Sequence, residues 1–303
     1  MITSVICEKL GLRYPIFQGG MAWISDAALA AAVSNAGGLG VIAAGNAPVS
    51  WVTEQVRLAK TLTDRPFGLN IMLMSETAPD IAELAVTEKV PVVITGAGNP
   101  AKFIPKWREH GIFVIPVVPS VALAKRMERT GASAVIAEGT EAGGHIGEIS
   151  TFVLVPQVCD AVSIPVIAAG GIADHRGVAA AFALGAKGVQ VGTRFLVAKE
   201  CGIHQNYKDK IIKAKDIDTI TTGKRLGHPV RSLKSPFSRS LFELEYNSSV
   251  LNEELEKMGE GTLKLAAIDG DLERGCFMAG QTAGLVSKEQ TAREIIEEMF
   301  GAL

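Results

Sequence analysis

The sequence is poor in the features that mark several protein classes. Its 303 residues hold four cysteines, Cys7, Cys159, Cys201 and Cys276, at no paired or metal-like spacing. That argues against a disulfide framework and against a thiolate zinc site, and each thiol is expected to be a small, reduced core residue. No apolar run approaches the ~20 residues of a membrane span. The opening M-I-T-S-V-I-C-E-K-L-G-L-R-Y carries an acid and no signal-type apolar core, so a cytoplasmic location is expected. There is no excess of positive charge. Thirty Lys and Arg against 32 Asp and Glu give a net charge of −2, which is not the balance of a nucleic-acid-binding surface.

What is present is apolar and rhythmic. Apolar residues make up 48% of the chain, enough for one large core. Eight short β-branched runs recur with helix-like stretches between them: 14–20, 40–44, 67–71, 92–96, 113–118, 134–138, 165–171 and 188–193. They are apolar on both faces, as strands of a buried parallel sheet must be. Eight such runs at near-regular spacing predict a (β/α)8 TIM barrel, with a doubly wound sheet as the rival. The helices have readable ends. Ser25 or Asp26, Ser120 and Asp174 are candidate N-caps, and Gly37, Gly131 and Gly185 close the helices that follow them. After residue 199 the strand runs stop and amphipathic segments replace them. The expected division is therefore a barrel of 1–199 and 263–303, with a small, mostly helical insertion at 200–262 that caps the substrate or cofactor.

In a barrel, the C-terminal strand ends and the loops after them build the active site. The first run ends in Gln18, Gly19, Gly20 and Met21, the third carries Asn70, and the sixth ends in Glu138. Amide and carboxyl groups at one mouth suit a planar heterocycle with mixed donors and acceptors. The loops A-A-G-G-I-A-D (168–174) and G-T-R-F (192–195) occupy the two positions that commonly bind phosphate through backbone N–H groups. Glycine there lets the anion approach, and Thr193 adds a hydroxyl. The segment E-A-G-G-H-I-G (141–147) surrounds His145 with glycine, and histidine suits proton transfer near neutrality. Gly96-Ala97-Gly98-Asn99-Pro100-Ala101 matches G-x-G-x-x-A, but the acid that a dinucleotide fingerprint wants about twenty residues later is missing, so the loop is read as a close backbone approach to the pocket. Between Asp218 and Glu243 the chain has no acid but carries Lys224, Arg225, Arg231, Lys234 and Arg239, a stretch suited to an acidic carrier protein, to a cofactor phosphate or simply to solvent.

These segments resemble a known family. Q-G-G-M-A-W (18–23), G-L-N-I-M-L (68–73), T-G-A-G-N-P (95–100), I-P-V-V-P-S (115–120), A-E-G-T-E-A-G-G-H-I-G (137–147), I-P-V-I-A-A-G-G-I-A-D (164–174), V-Q-V-G-T-R-F (189–195) and M-A-G-Q-T-A-G-L-V (278–286) look like the FMN-dependent enoyl-acyl carrier protein reductase II (FabK type). That family lies within a superfamily that includes the nitronate monooxygenases. The likeness covers nearly the whole chain and is weakest at 200–262. It implies FMN as cofactor, NADH or NADPH as reductant, and a trans-2-enoyl thioester on acyl carrier protein as substrate. A monovalent cation is a further candidate, as is a homodimer; no nucleic acid or membrane partner is expected. Carried over by motif, Gln18, Gly19, Gly20, Met21, Asn70, Glu138 and Gly143 would line the flavin. Gly170, Gly171, Gly192 and Thr193 would hold its phosphate, and Gln281 would approach the ring edge. His145 would be the catalytic residue. The alternatives are nitronate oxidation with FMN and O2, and a flavin reductase passing electrons from NAD(P)H to a quinone. A flavin-free barrel acting on a phosphorylated metabolite and a non-catalytic flavin sensor are more distant readings.

Overall fold

A strand that is apolar on both sides needs cover on both sides, and the chain supplies it by closing its sheet. The computed structural model describes residues 4–301. The eight runs form β1 (Ile16–Gln18), β2 (Gly40–Ala43), β3 (Phe67–Met72), β4 (Val92–Gly96), β5 (Phe113–Val118), β6 (Val135–Glu138), β8 (Val166–Ala169) and β9 (Gly188–Val191). β7 (Gly144–His145) is a short strand outside the barrel. All barrel pairs are parallel, in the order β1-β9-β8-β6-β5-β4-β3-β2. The ring is joined where Gln18 N donates to Leu39 O at 2.9 Å and Leu39 N donates to Ile16 O at 2.8 Å. This is the (β/α)8 TIM barrel expected from the sequence, not the doubly wound rival.

Closure gives each strand an inner and an outer face. Phe17, Val41, Val92, Ile94, Ile136 and Ile167 form the inner core, and Ile6 from the first helix plugs its lower end. Their neighbours Ile42, Val93, Val135 and Val166 point outward against the helices. The helices lie close because they are rich in alanine. Asp26 caps the helix Ala27–Asn35, Ser120 caps Val121–Thr130 and Asp174 caps His175–Ala183, each through its side-chain oxygen. The closing glycines Gly37, Gly131 and Gly185 have φ of 98°, 97° and 99°, the left-handed region that glycine enters without strain.

The segment after β9 is mainly helical, with Gln205–Ile212, Pro236–Glu245 and Asn252–Gly259. It also holds an antiparallel hairpin that the sequence pattern hid, β10 (Thr219–Thr222) and β11 (Val230–Leu233), and β11 pairs with β7. Thr262–Lys264 runs on into a π-helical turn, Leu265–Asp269. The last helix starts at Ala292 because Thr291 and Glu294 form a reciprocal capping box there. All four cysteines are free, with Cys201 and Cys276 buried and the other two half-buried. Among the described residues no cluster of metal-binding side chains is found, and no helix is long and apolar enough to cross a membrane.

Helix and sheet approach closely at Gly40, where a Cβ would fall 1.8 Å from the carbonyl oxygen of Ala30. Gly40→Ala is expected to destabilise the fold by about 3 kcal/mol or more through overpacking. Chemical denaturation tests this, and an unchanged midpoint would contradict the close approach.

Candidate active site

Near the C-terminal ends of the strands the inner face changes from apolar to polar. Two residues beyond inward Ile136, Glu138 also points inward. Asn70 and Gln190 occupy the inward positions between outward Leu69 and Ile71 and between outward Val189 and Val191. All three line a cavity of about 610 Å³. Among the described residues the side chains of Asn70 and Glu138 make no hydrogen bond, and Gln190 Oε1 is buried with no partner. A buried polar atom without a partner is uncommon in native proteins, and Gln190 Oε1, with the half-buried Asn70 and Glu138 beside it in the lining, points to a polar ligand. Gly20 must be glycine for Asn70 to sit there, since a Cβ on it would lie 2.4 Å from Asn70 Cβ.

One side of the cavity is a cradle of main chain. Gly170 and Gly171 have φ of 89° and 74°, and Gly192 precedes the short helix Thr193–Leu196. The N–H groups of Gly170, Gly171, Gly192 and Thr193 donate to no protein acceptor among the described residues. Thr193 Oγ1 accepts from Gly280 N at 2.8 Å, which leaves its own hydrogen free to donate. Several unpaired N–H groups and a hydroxyl around one hollow suit a phosphate.

His145 is held from two sides. On one, β7 pairs with β11, with His145 opposite Val230, and Ile146 N donates to Pro229 O at 3.0 Å. Arg231 Nε donates to Thr140 O at 3.1 Å. On the other, Gly143 lies so close to Ala279 and Gly280 that a Cβ would meet the Ala279 carbonyl carbon at 2.5 Å, and Gln281 N donates to Glu141 O at 2.9 Å. The glycines therefore serve close packing of a fixed loop. His145 is reachable from solvent through the mouth, yet the surrounding protein crowds it. That partial burial, and secondarily nearby His228, lower its pKa below the usual histidine value.

Most of the residues assigned from the sequence meet here. His145, Gly19, Gly20, Met21, Asn70, Glu138, Gly143, Gly170, Gly171, Gly192 and Thr193 line the cavity, as do Gly96 and Ala97 of the non-dinucleotide loop. Two do not. Gln18 is outside the lining and fully buried, because Phe17 takes the inward position and parity turns Gln18 outward. Its Nε2 donates to Ser25 Oγ at 2.8 Å and to Gly19 O, and its Oε1 accepts from Val41 N at 3.0 Å. Gln281 is exposed and also outside the lining; only its backbone braces the loop. The basic stretch is partly structural. Arg225 is spent on Asn247 O at 3.1 Å and Val250 O at 2.7 Å, and Arg231 on the histidine loop. Gln190 and the β10–β11 hairpin escaped sequence reasoning. The lone polar residue in V-Q-V-G-T was a signal for the first; pairing with a two-residue strand left none for the second.

Burial without a cationic partner pushes the Glu138 carboxyl from the ordinary 4.5 up to about 7. Between those values the folded chain binds more protons than the unfolded one, so stability declines as pH rises from about 4.5 to 7 and is flat above. Glu138→Gln, neutral at every pH, should match the parent near pH 4 and exceed it above pH 7 by roughly 2–3 kcal/mol. Urea melts across pH test this, and a difference that does not change with pH would refute it.

The model of the family described as nitronate monooxygenase matches residues 3–301. A solved structure of FabK from Thermotoga maritima shares 50% identity, covers 99% of this chain and 96% of its own, and superposes with a TM-score of 0.97. A probable nitronate monooxygenase of Staphylococcus saprophyticus is 33% identical over 98% of this chain and 97% of its own length. The (3aS,4S,5R,7aS)-5-hydroxy-7a-methyl-1-oxo-octahydro-1H-indene-4-carboxyl-CoA dehydrogenase of Rhodococcus jostii is 32% identical over 98% and 94%.

Proposed function

Because this chain belongs to the nitronate monooxygenase family, we propose that it is an FMN-dependent reductase of trans-2-enoyl thioesters, using NADH or NADPH and serving fatty-acid elongation on acyl carrier protein. Its relatives are oxidoreductases, and so is this chain. The observation that carries the substrate choice is the near-complete superposition on FabK, the type that the sequence motifs resemble. The name of the Rhodococcus relative, a CoA dehydrogenase, adds a second thioester-handling member. The division at 200–262 belongs to the same proposal, with that segment as a cap. Support comes from Gly259 to Thr262, which line the cavity, and from β11, which pairs with the histidine strand.

The cavity fits a flavin mononucleotide. The N–H groups of Gly170, Gly171, Gly192 and Thr193 would hold the terminal phosphate. Asn70, Gln190 and Glu138 would meet the polar edge and side chain of the ring system, with Gly19 to Met21 allowing close approach. Bound flavin supplies two-electron hydride chemistry, which no side chain of the protein can perform.

The remaining tasks fall to residues of the chain. As a hydride reaches the β-carbon of the enoyl thioester, negative charge develops on the thioester oxygen and a proton must reach the α-carbon. His145 is assigned to the donor or acid role, hydrogen-bonding the thioester oxygen or passing a proton to the α-carbon. Desolvation lowers its pKa, which favours the neutral imidazole, whose N–H can donate a hydrogen bond to the developing enolate oxygen. The loop contacts from β11 and from Ala279–Gly280 hold that donor in place before substrate arrives.

The test is direct. The flavin-loaded protein is mixed without oxygen with NADH or NADPH, and crotonyl thioester is then added. Bleaching followed by return of the oxidised spectrum is the expected result. Bleaching without recovery would replace the enoyl acceptor with another, such as a quinone. A yellow protein bleached by neither nucleotide would move the assignment to nitronate oxidation with O2. His145→Ala should keep the flavin spectrum and slow enoyl reduction by roughly 100-fold or more; unchanged turnover would remove His145 from the mechanism.

A further inference from the structure

The mouth of the cavity carries an aromatic–cation pair that the proposed chemistry does not use. Trp23 is 37% exposed, lines the cavity and has φ of 64°, a left-handed backbone that a bulky residue rarely adopts. The surrounding turn enforces it. Ile24 N and Ser25 N both donate to Met21 O, at 3.0 and 2.8 Å. Ser25 Oγ accepts from Met21 N at 2.9 Å and from Gln18 Nε2 at 2.8 Å. Gly45, with φ of 51°, leaves room for Ala22, whose Cβ would otherwise be 2.9 Å from a Cβ there. The buried amide of Gln18 thus helps to hold an indole at the rim. Strain of this kind persists where the surroundings over-determine it, and it gathers at ligand sites.

Lys264 Nζ lies 5.0 Å from the centroid of the Trp23 ring. Among the described lining residues Lys264 is the one lysine or arginine; the other ionisable side chains there are Glu138, Glu141, Glu260 and His145. The cradle of free N–H groups lies at the strand ends, on Gly170 to Thr193, and the rim cation is separate from it. An anion that arrives at the mouth therefore meets one permanent cation, placed against an indole. A flat ring beside a phosphate is the chemistry of a nucleotide.

We propose that Trp23 and Lys264 form the entrance subsite for the adenosine diphosphate half of the reductant, with the purine on the indole and the pyrophosphate at the ammonium. This rests on the reading of the cavity as a flavin site served by a nicotinamide nucleotide. The other phosphate-bearing arm that must enter, phosphopantetheine, has no ring to stack on Trp23, and so gains less from the pair.

The experiment uses flavin-loaded protein and ADP-ribose, which carries no nicotinamide, with binding read by calorimetry and by quenching of tryptophan emission. ADP-ribose is expected to bind. Trp23→Leu and Lys264→Gln should each weaken it roughly tenfold while the flavin absorption spectrum stays that of the parent. Affinity for 4′-phosphopantetheine should not change. No binding of ADP-ribose to the parent, equal binding to both variants, or loss of phosphopantetheine affinity in its place would overturn the proposal. ADP-ribose delivers no hydride, so its binding is scored whether or not enoyl reduction is seen, and the two readings fail separately.

Discussion

Two hydrogen bonds between β1 and Leu39 close the sheet, and on that closure the rest of the molecule depends. An open sheet would leave β1 and β2 as edges with unpaired backbone groups. Closed, every strand acquires an inside, and the alternation of side chains decides what enters it. Lower in the barrel the inward positions are Ile, Val and Phe, which fill the interior. Near the mouth they become Asn70, Glu138 and Gln190, and the same parity carries Gln18 out of the site. One geometric rule thus divides a core from a binding surface within single strands.

The polar mouth costs stability. A carboxyl buried without a partner is kept partly neutral near pH 7, and Gln190 Oε1 has lost water without gaining a donor. The well-filled apolar interior offsets such losses. The residues that bear the cost are the ones facing the cavity, where a ligand with complementary donors and acceptors would relieve it.

The histidine loop shows how later chain repairs what an earlier segment lacks. Residues 139–147 have little side-chain cover of their own, and the glycines there could not fix a conformation. The hairpin from the insertion and the Ala279–Gly280 strand of loop supply the missing walls. Arg231, which reads as a surface cation, is a brace between them.

Period, caps and loop glycines in the sequence determined the eight strands, the helix starts at Asp26, Ser120 and Asp174, and the phosphate-suited turns, because each depends on residues near one another in the chain. The inward set at the mouth was legible in part: Asn70 and Glu138 stand out as polar groups at strand ends, and Gln190 could have been found by carrying parity through V-Q-V. The outward turn of Gln18 and the exposure of Gln281 were decided by tertiary structure, as were the pairing of His145 with Val230 and the meeting of Trp23 with Lys264. These join positions up to more than 200 residues apart. Their partners are set by where closure and the insertion carry the backbone, and local pattern holds no record of that.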